Sequence, residues 1–166
     1  MSARRVVAAI ALGSNVGDRE RALARAVVAL ERTPGVVVLR RSRWIETEPE
    51  GGPHDQGRFL NGAILVETTL APRELLDAML AIERRLGRVR AERNGPRTID
   101  LDLLDHGGVE LDEPGLHLPH PRMEERLFVL EPLGEIAPDL FLARSKKSVR
   151  ERLEELRARS NSESGA

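Results

Sequence analysis

Gly95-Pro96-Arg97-Thr98-Ile99-Asp100-Leu101-Asp102 alternates in its second half. On a β-strand Thr98, Asp100 and Asp102 share one face, while Ile99, Leu101 and Leu103 take the other. The two carboxylates then stand side by side, their Cα atoms about 6.6 Å apart by strand rise. Neighbouring acids on a rigid strand repel unless a cation lies between them. A hard divalent ion such as Mg²⁺ suits the pair, because it takes oxygen ligands and often needs only one or two carboxylates beside phosphate oxygens. Arg84, Arg85, Arg88, Arg90, Arg93 and Arg97 lie just upstream. Acids for metal beside arginines for phosphate point to phosphoryl-type chemistry on a nucleotide. A helix C-terminus accounts for Arg84 and Arg85 through the dipole alone, but not for Arg97 at the strand start.

Working outward, the strand predicted over Arg97–Asp105 is the last of an ordered series. Val6–Leu12 reads as a buried strand ended by Gly13-Ser14-Asn15-Val16-Gly17-Asp18, and a helix follows over Arg19–Thr33. Pro34-Gly35 breaks that helix, and Val36–Thr47 reads as one long strand paired with Phe59–Thr69. The connection Glu48–Arg58 is long and rich in Gly and Pro, as functional loops are. A second helix starts at Pro72, shows an apolar stripe at Leu75, Leu76, Met79, Ile82 and Leu86, and ends at Gly87. The order β-α-β-β-α-β is that of the ferredoxin-like α+β arrangement, an antiparallel sheet with both helices on one face. The other face and its loops are expected to be free for a site. Beyond it come an extended piece at Val109–Leu111, a proline-set loop at Leu116–Pro121, and C-terminal helices at Arg122–Leu133 and Lys146–Arg159. Residues 1–159 are expected to form a single domain, and 160–166 a disordered tail.

Composition narrows the classes. The chain has 166 residues, net charge −1 and no cysteine. One domain with a sizeable core fits that length. Disulfides and thiolate chemistry are excluded, and a reducing, cytoplasmic setting fits. No segment approaches the ~20 apolar residues of a membrane span, and nothing global suggests a nucleic-acid or membrane partner. Aromatic residues are scarce, with three Phe, one Trp and no Tyr. There is no P-loop, and the glycines at Gly13 and Gly17 lack dinucleotide-fingerprint spacing. His54, His106 and His117 show no transition-metal spacing. Taken singly, His120 between two prolines reads as structural, and Phe59 and Phe128 as core residues.

Five stretches taken in order change that reading. Ala11-Leu12-Gly13-Ser14-Asn15, Phe59-Leu60-Asn61, Glu83 through Gly87-Arg88-Val89-Arg90, Gly95 through Asp102, and Leu118-Pro119-His120-Pro121-Arg122-Met123 with Arg126 and Phe128 resemble the 6-hydroxymethyl-7,8-dihydropterin pyrophosphokinase family. The resemblance runs from about Val6 to Asp139. It implies a Mg-dependent transfer of diphosphate from ATP to the pterin hydroxymethyl group in folate biosynthesis, with AMP released. It implies two Mg²⁺ ions on Asp100 and Asp102. Arg88 and Arg97 would join the two acids as catalytic residues. Arg90, Arg93, Arg97, Leu103, His117, His120 and Arg126 would bind ATP. Gly13, Thr47, Phe59, Asn61 and Phe128 would bind the pterin, the two rings sandwiching it, and Glu83 matches a further family acid near the site. Leu80, Asn94 and Gly115 depart from the family pattern, where glutamine, tryptophan and arginine occur, and Phe59 stands in place of a tyrosine. The partners are then ATP and the pterin, without nucleic acid or membrane, and the chain is expected to act as a monomer. The alternative is a ferredoxin-like nucleic-acid-binding module, with the arginine loop tracking a phosphate backbone. Asp100 and Asp102 would repel that backbone.

Overall fold

The computed structural model describes residues 4–48, 57–87 and 98–164. Strand β1 (Val6–Ser14) is central: it pairs antiparallel with β4 (Phe59–Thr68) on one side and with β5 (Asp100–His106) on the other. Beyond β4 lie β2 (Val36–Arg41) and β3 (Ile45–Thr47), both antiparallel to it, so the main sheet runs β2-β4-β1-β5 with β3 alongside β4. Helix α1 (Arg19–Glu31) opens where Asp18 accepts a hydrogen bond from the Arg21 N–H at 3.2 Å. Helix α2 (Pro72–Arg85) opens with proline in its first turn, where no N–H is needed. Its Glu74 reaches back to the Ala71 N–H at 2.8 Å, and Gly87 beyond its end has φ +87°, a conformation cheap only for glycine.

Strand alternation divides the sheet into two faces. Ala8, Ile10 and Leu12 of β1, Leu60, Ile64 and Val66 of β4, and Leu101 and Leu103 of β5 pack against Leu23, Ala26 and Leu30 of α1 and Leu75, Met79 and Ile82 of α2. The opposite face carries Ala9, Ala63 and Leu104 and is not free as expected: α3 (Leu127–Ile136) and α4 (Val149–Ser164) cover part of it with Leu130, Leu133, Val149 and Leu153. An exposed Ala-rich sheet face would leave apolar surface in water, and burying it under α3 gains about 25 cal/mol per Å². What stays open is the end of that face where β1 carries Ala11 and Gly13.

Several boundaries differ from the sequence reading. The long strand Val36–Thr47 breaks in two. Ser42 replaces a ladder bond with its side chain, accepting from the Ala63 N–H at 2.9 Å, and the register shifts between Val38 and Arg40. Trp44 then lies over Gly62, where a Cβ would stand 2.4 Å from the indole. The expected strand near Val109 is β6 (Leu111–Glu113), paired with β7 (Leu116–Leu118) inside the proline-set loop. The helix expected over Arg122–Leu133 is a 3₁₀ turn at Met123–Glu125 followed by α3, which holds Pro132 internally. A small hairpin, β8 (Phe141–Leu142) and β9 (Lys147–Ser148), precedes α4. Helix α4 continues through Ser164, so residues 160–164 are helical where a disordered tail was expected. Among the described residues no helix is long and apolar enough to cross a membrane.

Candidate active site

The open end of the α3-side face is a pocket. Its walls include Ala11, Gly13, Thr47, Phe59, Asn61, Asp100, Asp102, Arg126 and Phe128. Register explains the assembly. Asn61, Gly13 and Asp100 lie on one rung across β4, β1 and β5, and Ala63, Ala11 and Asp102 on a rung beside it. Adjacent strands are about 4.8 Å apart, so Asn61 and Asp100 stand roughly 10 Å from each other at Cα. Between them the central strand offers only glycine and alanine. A Cβ on Gly13 would come within 3.0 Å of Asn61 Oδ1 and 3.5 Å of the Phe59 ring. The floor is therefore low because its residues are small, and a flat molecule can lie across it.

One side of the slot is aromatic and polar. Phe59 begins β4 and pairs with Thr47 of β3. Asn61 is buried, and its amide donates to the Thr47 hydroxyl in a short contact. Phe128 enters from the first turn of α3, and the Arg126 guanidinium lies 5.4 Å from its ring centroid. That distance is within the range of cation–π attraction. The other side is acidic. Asp100 and Asp102 are both half-buried and both line the pocket, as the alternation of β5 requires.

The lead-in to β4 is fastened beneath this site. Asn15 Nδ2 donates to the Gly57 carbonyl at 3.2 Å, Arg19 donates to the Arg58 carbonyl at 2.9 Å, and Arg19 pairs with Glu46 at 2.9 Å. Arg58 Nε meets Glu48 at 2.7 Å, joining the two ends of the Glu48–Arg58 connection.

Not every residue read from the sequence faces this pocket. Leu103, expected at ATP, is 5% exposed and points into the α1/α2 core, so only its backbone is near the acids. Glu83 is 3% exposed and reaches β5 from the helix side, where Oε2 accepts the Leu101 N–H at 2.7 Å. It braces the strand between the two acids and does not line the pocket. His117 is exposed on β7 with Nδ1 against Asp112, and it borders a separate depression with Glu110, Pro119, Pro121 and Arg144. Arg88, Arg90, Arg93 and Arg97, with His54, Asn94 and most of the Glu48–Arg58 loop, lie outside the described residues. Ala11 and Val129, which the sequence reading did not single out, line the pocket. The alternation of small residues at Ala9, Ala11 and Gly13 was the signal that could have revealed the floor.

His120 lies within electrostatic reach of both sides. Its N–H bonds to the Leu104 carbonyl at 2.8 Å, and its Nδ1 accepts from the Arg122 N–H at 3.2 Å. Burial, reinforced by Arg126 and opposed by Asp100, lowers its pKa to about 4. A neutral imidazole is thus held in the folded chain, whereas the unfolded chain protonates near 6.5. The unfolded state binds more protons between those values, so stability falls as pH drops from 6.5 toward 4. Urea titrations across that range are expected to show a weaker pH dependence in His120→Gln, and an unchanged slope would assign the loss to other groups.

The sequence profile of the family described as 7,8-dihydro-6-hydroxymethylpterin-pyrophosphokinase matches residues 9–138. The chain belongs to this family. Relatives named 2-amino-4-hydroxy-6-hydroxymethyldihydropteridine pyrophosphokinase agree with the match. The one from Methylorubrum extorquens is 48% identical over 147 residues, 89% of this chain and 91% of that protein. The one from Bacillus subtilis is 50% identical over 130 residues, 78% of this chain and 77% of the relative. The crystal structure of Plasmodium falciparum HPPK-DHPS wild type with pteroate superposes with TM-score 0.79 at 12% identity, covering 100% of this chain and 47% of that one. The chain thus spans about half the length of that solved structure, a likeness that concerns the fold. No comparison favours a nucleic-acid-binding module, so the pyrophosphokinase family stands in place of that alternative.

Proposed function

We infer that this chain transfers diphosphate from ATP to the hydroxymethyl group of 6-hydroxymethyl-7,8-dihydropterin and releases AMP, a step of folate biosynthesis. The observation that carries this is one pocket in which two half-buried carboxylates face an amide, a hydroxyl and two aromatic rings across a floor of small residues. The finer topology is read as ferredoxin-like, supported by the β2-β4-β1-β5 order with all pairings antiparallel and α1 and α2 on one face. The reading includes one pyrophosphokinase domain over 1–159, acting as a monomer in the cytoplasm.

Each group has a task its chemistry suits. Phe59 and Phe128 supply ring faces on which a heterocycle stacks. Asn61 and Thr47 supply donors and acceptors for its edge, and because they are joined to each other their directions are fixed before binding. Asp100 and Asp102 are an oxygen-only donor pair on one strand face, which fits Mg²⁺ completed by phosphate oxygens and water. Among the described residues, these two acids are the ones that would hold it. Bound there, two Mg²⁺ ions would neutralise phosphate charge and align the attacking and leaving oxygens. Arg126 presents a cation at the pocket wall, and Arg88, Arg90, Arg93 and Arg97 are assigned to the phosphates on family resemblance. His120, being neutral, can donate or accept without adding charge. The test is AMP release from ATP, pterin and Mg²⁺ by the purified protein. No release, with tight binding of single-stranded RNA, would overturn the assignment.

The aromatic wall makes a separate prediction. Phe59 is half-buried, so Phe59→Ala is expected to cost less stability than the about 3–5 kcal/mol of a fully buried Phe. Pterin affinity should fall about tenfold, on the scale of one aromatic stacking contact. ATP affinity should hold in Phe59→Ala, but weaken modestly in Phe128→Ala, which also removes the surface under Arg126. Calorimetric titration of each ligand decides this. A large fall in melting temperature with unchanged pterin affinity would make Phe59 a packing residue.

A further inference from the structure

The segment from His120 to Arg126 is held from two directions. On the sheet side, the His120 N–H is bonded to Leu104 of β5. On the other side lies the turn between β8 and β9. Glu124, 6% exposed, sits in the 3₁₀ turn and points both carboxylate oxygens at that turn. Its Oε2 accepts the Arg144 N–H at 3.0 Å, and its Oε1 accepts the Ser145 N–H at 2.9 Å. The Arg144 side chain returns the contact by donating to the Pro121 carbonyl. Arg152 of α4 donates to the Glu124 carbonyl at 2.8 Å. A buried carboxylate accepting two backbone N–H groups makes charge-assisted bonds, stronger and more directional than neutral ones. The turn it holds carries strain of its own, because Lys146 has φ +58° without being glycine.

We propose that Glu124 and Arg144 are positioning residues. They clamp the β8–β9 turn to the His120–Arg126 segment and so set the placement of the two side chains that face ATP. Neither is among the residues lining the pocket that holds the acids and rings. Their effect passes through a short path: Glu124 fixes the 3₁₀ turn two residues before Arg126, and Arg144 fixes the Pro121 carbonyl one residue after His120. Both ends of the segment are thereby held from outside the site. A clamp acting there should tune the nucleotide side and leave the pterin wall of β3 and β4 alone. The inference rests on the reading of His120 and Arg126 as nucleotide contacts.

The test uses Arg144→Ala, Arg144→Lys and Glu124→Ala in the full chain. Arg144 is exposed, so its variants are expected to fold even if Glu124→Ala does not. Arg144→Ala should raise the KM for ATP about tenfold, the scale of one lost charge-assisted bond, with the pterin KM within twofold. Arg144→Lys should recover most of the loss, because an ammonium can still donate to the Pro121 carbonyl. Amide hydrogen exchange at Met123 and Glu125, measured without ligands, should speed up in Arg144→Ala. Unchanged exchange would overturn the clamp itself. Faster exchange with an unchanged ATP KM would overturn the link to the nucleotide, leaving the acids, the rings and the proposed reaction untouched. An equal rise in both KM values would make the effect general loosening and equally overturn the proposal.

Discussion

Asp102→Asn, and equally Asp100→Asn, is expected to reduce AMP release by about a thousandfold or more, the scale of several kcal/mol of lost charge stabilisation in a phosphoryl-transfer transition state. Asparagine keeps the shape of the side chain, so packing should survive. The two acids occupy alternate positions of one strand and face one pocket, which places like charges near each other. Asp100→Asn should also lower the His120 pKa further, because Asp100 is the charge that raises it. Thermal melts, NMR titration of the imidazole and AMP-release assays together read all of this. Wild-type turnover in either purified variant would rule out the metal-binding role.

Glu83→Ala should damage the protein from outside the pocket. Its carboxylate is buried and accepts the Leu101 N–H, which belongs to the residue between the two acids. Without it that N–H is left buried and unpaired, at a cost of about 1–3 kcal/mol. In a domain of this size, that lowers the melting temperature by roughly 3–10 °C. Activity should fall beyond what stability explains, because the strand that sets the spacing of Asp100 and Asp102 loses a tether. Glu83→Gln keeps an acceptor oxygen and should retain much of both properties. If Glu83→Ala melts and turns over like the parent chain, the strand holds its register without this tether.

The acidic strand was legible because alternation with a period of two is enough to place Asp100 and Asp102 together. Leu103 was the exception: the same alternation sends its side chain to the core, and only family resemblance put it at ATP. Glu83 could have been placed from the residues alone, since it follows Met79 by four positions on the buried stripe of α2. A carboxylate on such a stripe needs a buried donor, and the strand beneath supplies one. The break at Ser42 was not legible, because it depends on a hydroxyl replacing a backbone acceptor across the sheet. Nor was the covering of the second face. The stripe of α3 shows that it packs, and only the tertiary path shows on which side. The clamp formed by Glu124 and Arg144 joins residues 20 positions apart through backbone amides, and no side-chain pattern advertises such bonds.

The low floor under the pocket has a practical consequence for mutagenesis. Ala11 and Gly13 contribute almost nothing that truncation could remove, so an alanine scan passes over the surface on which a bound ring would rest. Only enlargement can report on it. Gly13→Ala and Ala11→Val would raise the floor by a methyl group or two, and they test the depth of the slot in a way that deleting its walls cannot.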